Sequence, residues 1–90
     1  MSEPYAVKWS KPAKRAVAKE LPEAVAAAVI ELVTGALAQQ PYRVGKPLKE
    51  PFEGMWSARR ATYRVLYRVD DQQRIVVIES VQHRGHAYRP

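Results

Sequence analysis

The 90-residue chain contains no cysteine. Disulfide frameworks, thiolate nucleophiles and cysteine-based zinc sites are therefore excluded together, a composition that fits a reducing cytoplasm. No apolar run is long enough to span a bilayer. The longest helical stretch, residues 25–37, is interrupted by Glu31 and Gly35 and falls well short of the ~20 residues a span requires. Residues 1–8 are polar and lack the apolar centre of a secretory leader. Internal repeats and low-complexity segments are missing as well. A soluble, cytoplasmic protein with no membrane partner is expected.

What is present is enough for one domain over residues 1–90, with a modest core that needs no metal or disulfide. The charge of +6 is unevenly placed. Residues 1–42 hold five lysines and arginines against four acids, whereas residues 43–90 hold ten against five. A basic half beside a nearly neutral one points to a polyanionic or acidic partner on one side of the fold.

Tyr5-Ala6-Val7-Lys8-Trp9 alternates and stops at Ser10-Lys11-Pro12, which predicts a strand followed by a helix start. Ala13, Ala16, Val17 and Leu21 then recur at helical spacing, with Lys14, Arg15 and Lys19 turned outward. Leu21-Pro22-Glu23 breaks that helix and begins another, since proline suits a first turn and an acid suits the positive end of the helix dipole. Val25, Ala28, Val29, Leu32, Ala36 and Leu37 form the second stripe, which ends by Gln40-Pro41. Residues 41–53, with three prolines and one glycine, read as an exposed loop carrying Arg43, Lys46 and Lys49.

Three strands are predicted beyond the loop, at about 54–60, 63–70 and 73–83, with a turn at Asp70-Asp71-Gln72. The turn near Arg60-Ala61-Thr62 lacks glycine, so its register is the least defined. Ile75-Val76-Val77-Ile78 is apolar on both faces, as suits a central strand. The order β-α-α-β-β-β predicts an α+β fold, a two-helix hairpin packed on one face of a mostly antiparallel four-stranded sheet. Alternation then turns Trp56, Ala58, Tyr63, Val65, Tyr67 and Val69 toward the helices. Ser57, Arg59, Arg64, Leu66, Arg68, Gln82 and Arg84 fall on the open face. A slip of one residue in any strand would exchange its two sets. An arginine-rich sheet face suits a phosphate backbone.

The combination of Leu21-Pro22, Pro47-Leu48, Gly54-Met55-Trp56-Ser57-Ala58-Arg59, Tyr63-Arg64-Val65-Leu66-Tyr67, the apolar strand from Ile75 to Val81, His83-Arg84 and Tyr88 resembles the RelE/ParE superfamily. These are toxins of bacterial type II toxin–antitoxin pairs, and the closer likeness is to the RelE-like messenger-RNA interferases. The resemblance implies a toxin that enters the ribosomal A site and cuts messenger RNA without a metal or other cofactor. A cognate, acidic antitoxin would cover the basic face, and DNA would be reached only through that antitoxin. In this chemistry the ribose 2′-hydroxyl attacks the adjacent phosphorus, leaving a cyclic 2′,3′-phosphate and a 5′-hydroxyl. Such a step needs a proton acceptor, cations around the five-coordinate phosphate, and a donor to the leaving oxygen.

By position, the resemblance makes Arg64 the strand arginine on the scissile phosphate and Arg84 the late arginine near the leaving group. Tyr88 matches a C-terminal tyrosine that stacks on a base or orients the nucleophile. Arg59 falls where the family often has a lysine, and Ser57 where its best-known members have another. Serine supplies neither a cation nor an efficient base, so either proton transfer moves to another group, with His83 and His86 the candidates, or the enzyme is slower. Alternation points His83 toward the helices and leaves His86 as the candidate acid or base, with an ordinary pKa of about 6.5 close to working pH. His83 and His86 have no third ligand nearby, so no metal site is expected. Lys46, Lys49, Ser57, Arg60, Arg68 and His83 complete the expected RNA-binding set. Two further readings stand beside the nuclease: a ParE-like inhibitor of DNA gyrase, and a catalytically weak RNA- or antitoxin-binding relic.

Overall fold

Alternating Tyr5–Trp9 forms the edge strand β1 (Ala6–Trp9), and the helical layer begins immediately after it. Ser10 performs the expected capping: its Oγ accepts from the Ala13 amide at 3.1 Å. The same hydroxyl donates to the Glu79 carbonyl at 2.7 Å, so one side chain starts the helix and anchors it to the sheet. Helix α1 (Lys11–Arg15) continues into a π-helical segment, Ala16–Glu20. Leu21 is then extended ahead of Pro22, as proline demands of its predecessor. Helix α2 (Glu23–Leu32) follows and runs into a second π-helical segment, Val33–Leu37.

The computed structural model describes residues 3–83, in which these helices cover one face of a five-stranded sheet whose strands lie in the order β1, β5 (Ile75–His83), β4 (Tyr63–Asp70), β3 (Trp56–Arg60), β2 (Lys46–Pro47). The expected strands are β3 (Trp56–Arg60), β4 (Tyr63–Asp70) and β5 (Ile75–His83), all antiparallel to their neighbours except for the parallel β1–β5 pair. The apolar strand β5 is central, between β1 and β4. The strand count differs from the expected four because the segment read wholly as loop contains helix α3 (Pro41–Val44) and the edge strand β2 (Lys46–Pro47). Proline is tolerated there because an edge residue has no obligation to donate on its open side.

Faces follow the predicted alternation. Ala58, Tyr63, Val65 and Tyr67 are buried beneath the helices with Val29, Leu32, Val33, Leu37, Val76 and Ile78, while Trp56 and Val69 pack at the margin. The Tyr63 hydroxyl donates to the Ala28 carbonyl at 3.3 Å, linking sheet to helix. Two residues, Ala61 and Thr62, join β3 to β4, with Arg60 opposite Tyr63. The turn forms without glycine because Ala61 itself takes a positive φ of 51°. A bulge between Leu66 and Tyr67 shifts the β4–β5 register, so that Val65 faces Val81 but Tyr67 faces Ile78.

Candidate functional site

Arg64 is the second residue of β4, on the face away from the helices, between the buried Tyr63 and Val65. Its cross-strand neighbours are Arg59 on β3 and Gln82 on β5. Gln82 Oε1 accepts from Arg64 Nε at 3.1 Å and from Nη2 at 2.5 Å. This double contact fixes the plane of the guanidinium and leaves its charge intact, because the amide is neutral. Arg59 and Arg64 are like charges placed directly opposite, an arrangement that is unfavourable without an anion.

A pocket of about 450 Å³ opens beside them, lined by Val44, Gly45, Lys46, Pro47, Leu48, Ser57, Arg59 and Arg64. No carboxylate is in this lining. Among the described residues the ion pair within 4 Å is Arg68 Nε with Glu79 Oε2, at 3.2 Å. Among those residues, Lys46, Arg59 and Arg64 are thus unneutralised by protein acids, and Arg68 is partly neutralised. Such a pocket presents strong positive potential to a phosphate.

The pocket's outer wall depends on contacts that sequence patterning did not reveal. The fully buried Tyr67 donates its hydroxyl proton to the Pro41 carbonyl at 2.6 Å. The Gly45 amide bonds to the same hydroxyl oxygen, and burial pushes the phenol up to about 12. Gly45 has no room for a side chain: a Cβ there would collide with the Tyr67 hydroxyl and stand 2.7 Å from the Ser57 carbonyl oxygen. The proline and glycine that read as loop punctuation are the residues that let α3 and β2 close onto β3.

A second tie holds the start of α3. Tyr42 and Tyr5 donate to the two carboxylate oxygens of Asp71, at 2.5 Å and 2.6 Å. These bonds hold the Asp71 carboxyl below its ordinary value and raise Tyr42 to about 12. Tyr42 also meets Trp56 edge-on at 5.0 Å, and the Arg74 guanidinium lies 4.3 Å over the Tyr5 ring.

Of the residues singled out in the sequence, Lys46, Ser57, Arg59 and Arg64 share one pocket. Lys49 is exposed outside its lining, and Arg60 is exposed on the Ala58 side of β3. Arg68 stays on the open face, against Glu79. His83 occupies the helix side, as alternation required, lining a different pocket of about 470 Å³ with Ala16, Glu20, Leu21 and Val81. Its Nε2 is 3.1 Å from Thr62 Oγ1. Arg84, His86 and Tyr88 lie outside the described residues. Among the described residues no three histidine, aspartate or glutamate side chains gather as a metal-holding group, and no helix is long and apolar enough to cross a membrane.

Residues 4–88 match the family described as the ParE toxin of the type II toxin–antitoxin system parDE. The chain is similar to Toxin RelG of Mycobacterium tuberculosis, 49% identical over 86 residues that cover 96% of this chain and 98% of that protein. Toxin RelE of the same organism is 44% identical over 86 residues, covering 96% and 88%. In three dimensions the fold matches a chain of the toxin–antitoxin complex RelBE2 from M. tuberculosis, with a TM-score of 0.86 and 49% identity over 91% of this chain and 100% of that one. The isolated E. coli RelE toxin shares the fold at a TM-score of 0.72 and 20% identity, covering 89% of this chain and 84% of that chain.

Proposed function

The chain belongs to the RelE/ParE superfamily of type II toxin–antitoxin toxins, and from that premise we propose that it is a ribosome-dependent endoribonuclease. It cuts messenger RNA in the ribosomal A site and thereby stops translation. One observation carries this reading: Lys46, Arg59 and Arg64 line a single acid-free pocket on the open face of the sheet.

The reaction breaks the bond between phosphorus and the 5′ oxygen of the following nucleotide. The 2′-hydroxyl of the preceding ribose forms the new bond, so the products are a 2′,3′-cyclic phosphate and a 5′-hydroxyl. No metal or cofactor takes part. Charge builds on the non-bridging oxygens as phosphorus becomes five-coordinate, and a guanidinium held in advance stabilises that state without reorganising. Arg64, gripped by Gln82, meets the scissile phosphate, and Arg59 stands beside it. A guanidinium keeps its proton at any physiological pH, so the arginines are suited to charge stabilisation and not to proton transfer. Proton transfer falls to His86, with Arg84 near the leaving oxygen and Tyr88 stacking on a base or orienting the nucleophile. Lys49, Arg60 and Arg68 add general attraction for the RNA backbone, whereas His83, on the helix side of the sheet, stands apart from that surface.

The partner in the cell is a cognate antitoxin whose acidic segment covers the cationic face, in keeping with the toxin–antitoxin complex that this fold matches. Toxin and targets meet in the cytoplasm. The ParE description of the matching family supports a second reading, a gyrase-directed toxin without nuclease activity. Incubating purified protein with a defined message, with and without programmed ribosomes, separates the two. Cleavage only on ribosomes is expected; intact messages on ribosomes together with gyrase inhibition would replace the nuclease reading with the second.

A further inference from the structure

We propose that Lys46, with Arg59 and Arg64, is the third cation of the pocket to meet the scissile phosphate, and that α3 and β2 serve to deliver it from the strand beside β3. The inference rests on the nuclease reading and adds a substrate-contacting residue to it. Lys46 and Ser57 are paired across β2 and β3, and both line the pocket that holds Arg59 and Arg64. Residues directly opposite in an antiparallel pair project from the same face with Cβ atoms roughly 4.5–5.5 Å apart. An ammonium attached at position 46 therefore serves the same space as one attached at position 57, where this chain has a serine.

The construction of the segment supports that role. Strand β2 has two residues, both exposed, and contributes no side chain to the core. Its attachment is nonetheless tightly defined, by the Tyr67 hydroxyl on Pro41 and Gly45 and by a glycine that permits contact with the Ser57 backbone. Lys46 is the next residue after that glycine. In α3, Pro41 is buried and Val44 packs against the core, which holds the segment in place. Strand β2 adds nothing to that packing and presents a cation to an acid-free pocket.

The test moves the lysine. Single-turnover cleavage on programmed ribosomes is measured for wild type, Lys46→Ala, Lys46→Arg, and the double variant Lys46→Ala with Ser57→Lys. Lys46→Ala is expected to slow cleavage about tenfold, the weight of one charge-assisted contact, with unchanged thermal melting because the side chain is exposed. Lys46→Arg is expected to retain most of the rate. The double variant is expected to recover to within about threefold of wild type, a rescue that loss of a structural contact would not show. An unchanged rate in Lys46→Ala, or a double variant no faster than the single one, overturns the role of Lys46 and leaves the nuclease reading standing. A wild-type protein that cuts no message overturns both.

Discussion

Tyr67→Phe removes one oxygen atom from the centre of the fold and isolates the tie on which the pocket wall depends. The ring fills the same buried space, so no cavity opens. What is lost is the bond to the Pro41 carbonyl at 2.6 Å and the acceptor for the Gly45 amide. Leaving buried polar groups unpaired costs about 1–3 kcal/mol. In a domain of this size that corresponds to a fall in melting temperature of roughly 5–15 °C. The loss is local as well as global: the amides of Gly45 and Lys46 should exchange with solvent faster than those of β4 and β5. Because burial raises the Tyr67 phenol from 10.0 to about 12, its contribution is complete below pH 10 and disappears as pH rises through 12. Wild type should therefore lose the stability contributed by the neutral phenol and its bond to Pro41 across that interval, and the phenylalanine variant should show no such transition. Thermal melting and amide exchange measure these effects. A variant that melts within about a degree of wild type, with unchanged exchange at Gly45, would refute the reasoning, since the Pro41 carbonyl and Gly45 amide would then carry no cost when orphaned.

Two further predictions concern the rest of the scaffold. Asp71→Asn weakens the tie to Tyr5 and Tyr42 and lowers the melting temperature at neutral pH. Since those tyrosines hold the carboxyl below 3.8, the difference from wild type should persist above that pH and close as pH falls through the lowered value; a difference independent of pH from 2 to 7 would contradict it. Ala61→Gly should stabilise the protein by about 0.5 kcal/mol, because relief of a positive φ, worth ~1–2 kcal/mol, outweighs glycine's added chain entropy. Chemical denaturation would show a higher midpoint with an unchanged slope, and a lower midpoint would contradict the turn geometry.

Much of the architecture was legible because long strands write their burial into every second residue. Ala58, Tyr63, Val65 and Tyr67 fell inside, while Ser57, Arg59 and Arg64 fell outside, as alternation required. Ser10 and Leu21-Pro22 marked the helix boundaries through local chemistry. Helix α3 and strand β2 were hidden for a physical reason: four and two residues are too few to display a period. Their positions depend instead on the approach of Gly45 to Tyr67, a contact between residues far apart in sequence. The same limit explains the site. Arg59 and Arg64 could be placed on one face by counting, but Lys46 looked like one of several loop cations until its pairing with Ser57 was known. The bulge between Leu66 and Tyr67 likewise has no sequence signature, yet it decides which β5 residues face the lower half of β4.

The most direct test of the central claim is to map transcript ends after inducing wild type and Arg64→Ala in cells lacking the antitoxin. Wild type is expected to give cuts in phase with codons and growth arrest. Intact messages and normal growth are expected for Arg64→Ala, which stays folded because the guanidinium lies on the open face, outside the core. Full toxicity with phased cuts in Arg64→Ala, or arrest by wild type with every message intact, would contradict the claim.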